Sequence, residues 1–327
     1  MIRTLLLLGS VAVASWAAAA EAPQHSLTIA IQESGTALWE LQAIDLLGLD
    51  EEHDLEIRLR HVADSRAGQI ALQSGAVDVI LSDFVWVSTQ RHRGNRLTMV
   101  PHSLAVGALM APEGGEVAAV TDLPGQTIAI AGGPVDKSWV ILQAYYREQT
   151  GEVLTERVHE RYGAPPLVNE LLLGGRAGAA MNYWHWNARA TAAGAVEVIS
   201  VAEMLAALGV PETPPLLGWT FSDETAEQKS EALRAFLDAS FAAKAMLAQD
   251  DAVWEALRPA MRAEGDEALF IALREGYRAG IVTAYDPTAT AAAEATFALL
   301  AEHGGTELVG EGDALAPGTF WDGYSLP

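Results

Sequence analysis

The chain has 327 residues, 20 Lys+Arg against 43 Asp+Glu, a formal net charge of −23, 50% hydrophobic residues and no cysteine. Such an acidic surface repels nucleic acid and anionic membrane, and the apolar half excludes a disordered acidic tail. Without cysteine the chain has no disulfide, no thiolate metal site, no thiol nucleophile and no cysteine-borne lipid anchor.

Residues 1–20 read as a signal peptide. Arg3 is followed by an uncharged run that ends in Ala18-Ala19-Ala20, small residues of the kind a signal peptidase accepts. The run is shorter than the ~20 apolar residues of a spanning helix, so cleavage after Ala20 or Ala22 is expected rather than an anchor. An exported protein without a lipid anchor fits a Gram-negative periplasm. The roughly 300 residues that remain exceed one ordinary core and imply two lobes.

Short β-type runs then alternate with helical patterns, the order of a parallel α/β architecture. Residues 27–31 are a strand and 37–47 a helix. Residues 56–62 are a second strand, followed by a helix from Ser65, its expected N-cap, to Gly75. A strand at 77–81, a helix at 84–92 and strands at 97–100 and 106–110 complete the first unit. Pattern resumes after a turn at Leu123-Pro124-Gly125. Strands are expected at 127–131, 158–161, 177–182 and 196–201, with helices at 136–149, 165–173 and 185–193. Residues 216–221 return the chain to the first lobe. Helices at 224–247, 252–261, 266–278 and 287–301 follow. The two crossings, near 104–112 and 212–220, form a hinge that permits clamshell closure. The expected division is a first lobe of residues 21–110 and 216–327 and a second lobe of 111–215.

Three stretches then carry a resemblance: Ala71-Leu72-Gln73-Ser74-Gly75-Ala76-Val77-Asp78-Val79, Asp122-Leu123-Pro124-Gly125-Gln126-Thr127-Ile128-Ala129 and Leu171-Leu172-Leu173-Gly174-Gly175-Arg176-Ala177-Gly178-Ala179-Ala180. In their order and spacing the chain resembles the periplasmic binding proteins of nitrate/sulfonate/taurine-type ABC importers, which share a fold with thiamine-pyrimidine precursor proteins. The resemblance implies an α/β, two-lobed periplasmic-binding-protein type II fold. Two parallel or mixed sheets would be flanked by helices and joined by a two-crossover hinge, with a helical C-terminal part. Where that family often has Trp-acidic-Pro, this chain has Tyr183-Trp184-His185-Trp186. The related pyrimidine synthase uses a cysteine-rich iron motif that this sequence lacks.

Ligands of open α/β sheets sit beyond the carboxyl ends of parallel strands. The candidates are therefore Gln32, Glu33, Ser34 and Trp39 after the first strand, and Ser82, Asp83 and Trp86 after the third. In the second lobe they are Gly132, Gly133, Pro134, Asp136, Lys137, Ser138 and Trp139, then Asn182, Trp184, His185 and Trp186. Trp219 lies at the second crossing. The indoles either pack in the core or line a cleft suited to a flat or cationic molecule. Gly132-Gly133-Pro134 either opens a helix whose free N–H groups hold an anion or is a simple turn with Asp136 capping the helix. Glu33 and Asp83 either bind an ammonium or ring N–H group or serve as caps. Lys137 is one of three lysines.

The eight histidines form no helix-spaced ligand pair, and no nucleophile motif or P-loop is present. No cofactor, metal or catalytic residue is expected. The expected protein is a monomeric periplasmic solute-binding component that captures a small organic solute and delivers it to an ABC permease in the inner membrane. A ligand sensor for a membrane receptor would share this fold and differ only in its partner. An enzyme on the same fold would consume the ligand.

Overall fold

The computed structural model describes residues 23–32, 35–283, 285 and 287–326; the expected signal peptide lies outside them. The chain begins with β1 (His25–Gln32), α1 (Ala37–Leu47), α2 (Leu49–Glu52), β2 (Leu55–Val62), α3 (Ser65–Gln73), β3 (Val79–Asp83), α4 (Phe84–His92) and β4 (Leu97–Ser103). It continues with β5 (Ala108–Pro112), β6 (Thr127–Ala131), α5 (Lys137–Thr150), β7 (His159–Gly163), α6 (Pro165–Leu173), β8 (Ala179–Asn182), α7 (Trp184–Ala192), β9 (Ala195–Ser200) and α8 (Val201–Ala207). It ends with β10 (Leu217–Ser222), α9 (Asp223–Gln228), α10 (Ser230–Gln249), α11 (Asp251–Met261), α12 (Glu267–Ala279) and α13 (Pro287–Val309). Among the described residues no helix is long and apolar enough to cross a membrane.

Two five-stranded mixed sheets result, ordered β2-β1-β3-β10-β4 and β7-β6-β8-β5-β9. They repeat one plan. β1 is parallel to β2 and β3, and β6 is parallel to β7 and β8. Each parallel trio is extended by an antiparallel strand, β10 in the first sheet and β5 in the second. β1 and β6, each the middle strand of its parallel trio, carry near-continuous apolar runs because helices cover both faces; Ile29, Ile128, Ala129 and Ile130 are fully buried.

Several boundaries differ from the sequence reading, each for a local reason. β5 pairs wholly with β8 and β9, so the expected lobe boundary at residue 110 falls inside a strand of the second sheet. Asp64, not Ser65, caps α3, accepting a hydrogen bond from the Ala67 N–H. The single helix expected over 224–247 is broken at Lys229, whose ψ of +33° leaves the helical region. The stretch after β9, given no element from sequence, begins with α8, capped by a reciprocal Ser200–Glu203 capping box. α13 runs past residue 301 with a kink at Gly305, where φ is +61°.

The chain passes between the sheets at residues 104–107 and 208–216. The first crossing is tightly held. The Leu104 N–H donates to the Gly280 carbonyl at 2.8 Å. A β-carbon on Gly107 would lie 2.0 Å from the Asn182 carbonyl oxygen, so that position accommodates no side chain. The sheets are also clasped on both flanks. α12 packs on α7, the Arg189 guanidinium of α7 donates to the Met261 carbonyl at the end of α11 at 2.9 Å, and α13 lies against both α4 and α5.

Behind the first sheet lies a buried polar knot. Glu40 of α1 meets Lys244 of α10 at 2.6 Å and accepts from Ser240 (2.5 Å) and Tyr277 (2.8 Å). Burial alone would raise the Glu40 carboxyl, but the Lys244 ammonium and its hydrogen bonds outweigh burial and hold it below the usual range. His102 Nδ1 sits 3.4 Å from this carboxylate without a hydrogen-bond partner. Burial pushes the His102 imidazole down to about 3, so it stays neutral in the folded protein. The unfolded chain takes up that proton at its ordinary value of 6.5. Below that pH the unfolded state therefore binds more protons, and stability falls by roughly 1.4 kcal/mol per pH unit until the folded value is reached. Urea unfolding at pH 7 and at pH 4.5 checks this: His102→Asn is expected to flatten the pH dependence, and an unchanged slope would exclude His102 as its source.

Candidate functional site

A cavity of about 440 Å³ opens between the two sheets at the carboxyl ends of their parallel strands. The first sheet contributes Gln32 from the end of β1 and Ser82 and Asp83 from the end of β3; Asp64, Ser65 and Gln69 come from the start of α3. The second contributes Asp136, Lys137 and Ser138 at the start of α5, with Tyr183, Trp184 and His185 after β8. Residues 105–107 and 216–217 of the two crossings form the floor.

The helix starts are already capped. Asp83 Oδ1 accepts the Trp86 N–H at 2.8 Å, and Asp64 Oδ1 accepts that of Ala67 at 2.8 Å. Asp136 Oδ1 accepts the N–H groups of Ser138 (3.0 Å) and Trp139 (3.3 Å). At the head of α5 the sequence left two possibilities open, and the structure shows the capped turn. Gly132 and Gly133 do not line the cavity; Gly132 supplies only the turn, with φ at +85°.

One ion pair spans the mouth: Lys137 Nζ of α5 stands 3.2 Å from Asp83 Oδ2 of β3. The Tyr183 hydroxyl donates to Asp136 Oδ2 at 3.4 Å. Burial, only partly offset by Lys137 and the capping N–H groups, raises the Asp136 carboxyl above its ordinary value. Burial, followed by the carboxylates of Asp136 and Asp83, raises the Tyr183 phenol. Burial lowers the His185 imidazole to about 4, so it is neutral at physiological pH. The first-sheet wall is tied by Gln32 Nε2 donating to Ser65 Oγ at 2.8 Å.

Trp184 adds its indole to an apolar wall otherwise lined by aliphatic residues such as Ile31, Ile80 and Val106. It stands edge-on to Trp39 at 6.1 Å and close to Tyr277. Its ring lies over Gly276 of α12, where a β-carbon would come within 2.9 Å of it. The same indole borders a second hollow of about 460 Å³ behind the first crossing.

The remaining expected residues are placed elsewhere. Glu33 and Ser34 lie outside the described residues. Trp39, Trp139 and Trp219 are buried in the core and do not line the cavity. Their indoles find core partners instead, Trp39 donating to the Ala260 carbonyl and Trp219 to Ser240. Trp86 and Trp186 are half-buried away from the wall, Trp186 beneath the Arg189 guanidinium. Of the six indoles that the sequence left open between core and cleft, Trp184 is the one that lines this cavity. Asn182 is a buried brace that donates to the Pro165 carbonyl and to Asn169. Asp64, Gln69 and Tyr183 were not singled out from sequence; α3 follows the edge strand β2, and its start reaches the cavity because β2 lies beside β1. Among the described residues no group of histidines and carboxylates could hold a metal ion.

This geometry can be set beside known proteins. The NMT1/THI5-like family model matches residues 47–252. The chain belongs to the NMT1/THI5-like family. No curated protein matches it. Among solved structures, the alkanesulfonate-binding protein SsuA from Xanthomonas axonopodis pv. citri, bound to MOPS, superposes with a TM-score of 0.69 at 16% identity, covering 90% of this chain and 98% of that one. The periplasmic aliphatic sulphonate binding protein SsuA from Escherichia coli gives 0.70 at 16% identity, covering 91% and 97%. The desulfurization enzyme DSZB gives 0.56 at 15% identity, covering 90% and 98%. These likenesses establish the two-lobed binding-protein fold for this NMT1/THI5-like chain.

Proposed function

We propose that the protein is the solute-binding component of an ABC importer, working in the periplasm as a monomer and handing a small organic molecule to an inner-membrane permease. The observation that carries this reading is the cavity of about 440 Å³ walled by both sheets, floored by the two chain crossings and spanned by the Asp83–Lys137 pair. Its size suits a small ligand. Each lobe supplies part of the wall, so a bound molecule would contact both and favour the closed arrangement. The lobes divide at residues 104–107 and 208–216. Family membership and the transport-binding proteins among the structural neighbours support the role. The sulfonates named for those neighbours are one ligand class to test.

The experiment is a thermal-shift screen of the purified protein against sulfonates, carboxylates, pyrimidines and amines, followed by X-ray scattering and mass spectrometry on any hit. The expected result is a compound that raises the melting temperature, compacts the molecule and is recovered unchanged. Recovery of a converted product would replace transport by catalysis, the role of the desulfurization enzyme on this fold. A compound that binds without compaction would argue against the clamp.

A further inference from the structure

The sign of the charge in the cleft points to a ligand class. Resting on the solute-binding reading above, we infer that the cavity takes a molecule with a protonated amine or amidine, held between Asp83 of one lobe and Asp136 of the other, with its apolar body against Trp184.

Three observations converge. The described wall carries Asp64, Asp83 and Asp136 against the single cation Lys137, a formal charge of −2, and no arginine. An anion entering this space meets net repulsion, and the forked guanidinium donors best suited to sulfonate, carboxylate or phosphate are missing from the described wall. The second observation concerns the helix starts. The N-termini of α3, α4 and α5 face the cavity with their first free N–H groups bound by the side chains of Asp64, Asp83 and Asp136. Those donors would otherwise form the anion cradle of such a fold. The third is the state of the remaining polar groups. Lys137 is committed to Asp83, and the outer oxygen of the half-buried Asp136 carboxylate has, among the described residues, only the Tyr183 hydroxyl at 3.4 Å. A desolvated carboxylate with spare accepting capacity gains most from a cation. A ligand ammonium placed there would take over the role of Lys137 toward Asp83 and complete the shell of Asp136, joining one carboxylate from each lobe. The Trp184 indole, which lines the same cavity, adds apolar contact for the body of the ligand.

The test uses three probes with one benzyl body on the full mature protein: benzylamine (cationic at neutral pH), phenylmethanesulfonate (anionic) and benzyl alcohol (neutral). Isothermal calorimetry is run at low ionic strength. Benzylamine is expected to bind at least about tenfold tighter than either other probe. Asp83→Asn and Asp136→Asn keep a capping side chain, so the fold is retained, which circular dichroism checks; each is expected to weaken benzylamine by about tenfold and to leave benzyl alcohol unchanged. Phenylmethanesulfonate binding as tightly as benzylamine overturns the charge assignment while leaving solute capture intact. So does benzylamine binding that neither Asn variant weakens. Absence of benzylamine binding also overturns it, and the solute-binding reading is then judged on compaction by the wider panel.

Discussion

Glu40→Gln is expected to lower the unfolding free energy by about 3–5 kcal/mol, measured by urea denaturation at pH 7. Glu40 and Lys244 are both almost completely buried, and the carboxylate is the ammonium's counter-charge at 2.6 Å. Removing the negative charge leaves an ammonium in the interior with Ser240, the Phe241 ring and the new amide beside it but no counter-charge. The double variant Glu40→Leu/Lys244→Met should lose less than the single one, because no lone charge is then buried. It does not return fully to the parent: Tyr277 loses its acceptor, which costs about 1–3 kcal/mol for a buried donor left unsatisfied. A single variant within about 1 kcal/mol of the parent would mean that Lys244 deprotonates or finds water, contrary to the geometry. The knot joins α1, α10, α12 and β4 behind the wall that carries Trp184, so its integrity also fixes the position of α12 behind the cleft.

The architecture was readable because periodicity and punctuation agree along the chain. Apolar runs such as Ile128-Ala129-Ile130 followed by Gly132 and an Asp cap mark a buried strand turning into a helix. The strand-end rule also reached the cavity wall at Ser82, Asp83, Lys137, Ser138, Trp184 and His185. It does not separate cleft indoles from core indoles, because it locates a Cα and not the direction of a side chain. Trp39 sits within the first turn of α1 on the face turned to Trp254 and Tyr277. Trp219 lies on β10, where successive side chains alternate between sheet faces, and its face is the one covered by α10. Asp64 and Gln69 were missed because β2 is the edge strand of its sheet, and the strand order that brings α3 beside β1 is a long-range fact with no local signature. The crossing expected near 104–112 contains residues 104–107, but the expected lobe boundary at residue 110 lies inside β5 for a similar reason: nothing local distinguishes a strand that continues one sheet from one that joins the next, and the β5–β8 and β5–β9 pairings put β5 in the second sheet.

Trp139→Ala and Trp184→Ala should separate stability from binding, although both residues follow a strand of the second sheet. Trp139 is 1% exposed and packed among the helices that join the lobes. Its truncation leaves a large internal void, and about 3–5 kcal/mol of stability should be lost. Cleft affinity should stay near the parent value wherever the variant is folded. Trp184 borders both the cleft and the hollow behind the first crossing. Removing its indole joins the two spaces, admits water behind a bound molecule and deletes the aromatic face. Affinity for a cleft ligand should then fall by about tenfold or more. The indole also meets Trp39, Tyr277 and Gly276, so some stability is lost as well. The comparison is made by calorimetry with one ligand, at a temperature where circular dichroism shows both variants folded. Equal loss of affinity in the two would mean that the cleft depends on the packing of the whole second lobe. Loss confined to Trp184→Ala would make that indole the contact surface, and Gly276 the opening in α12 that lets it lie there.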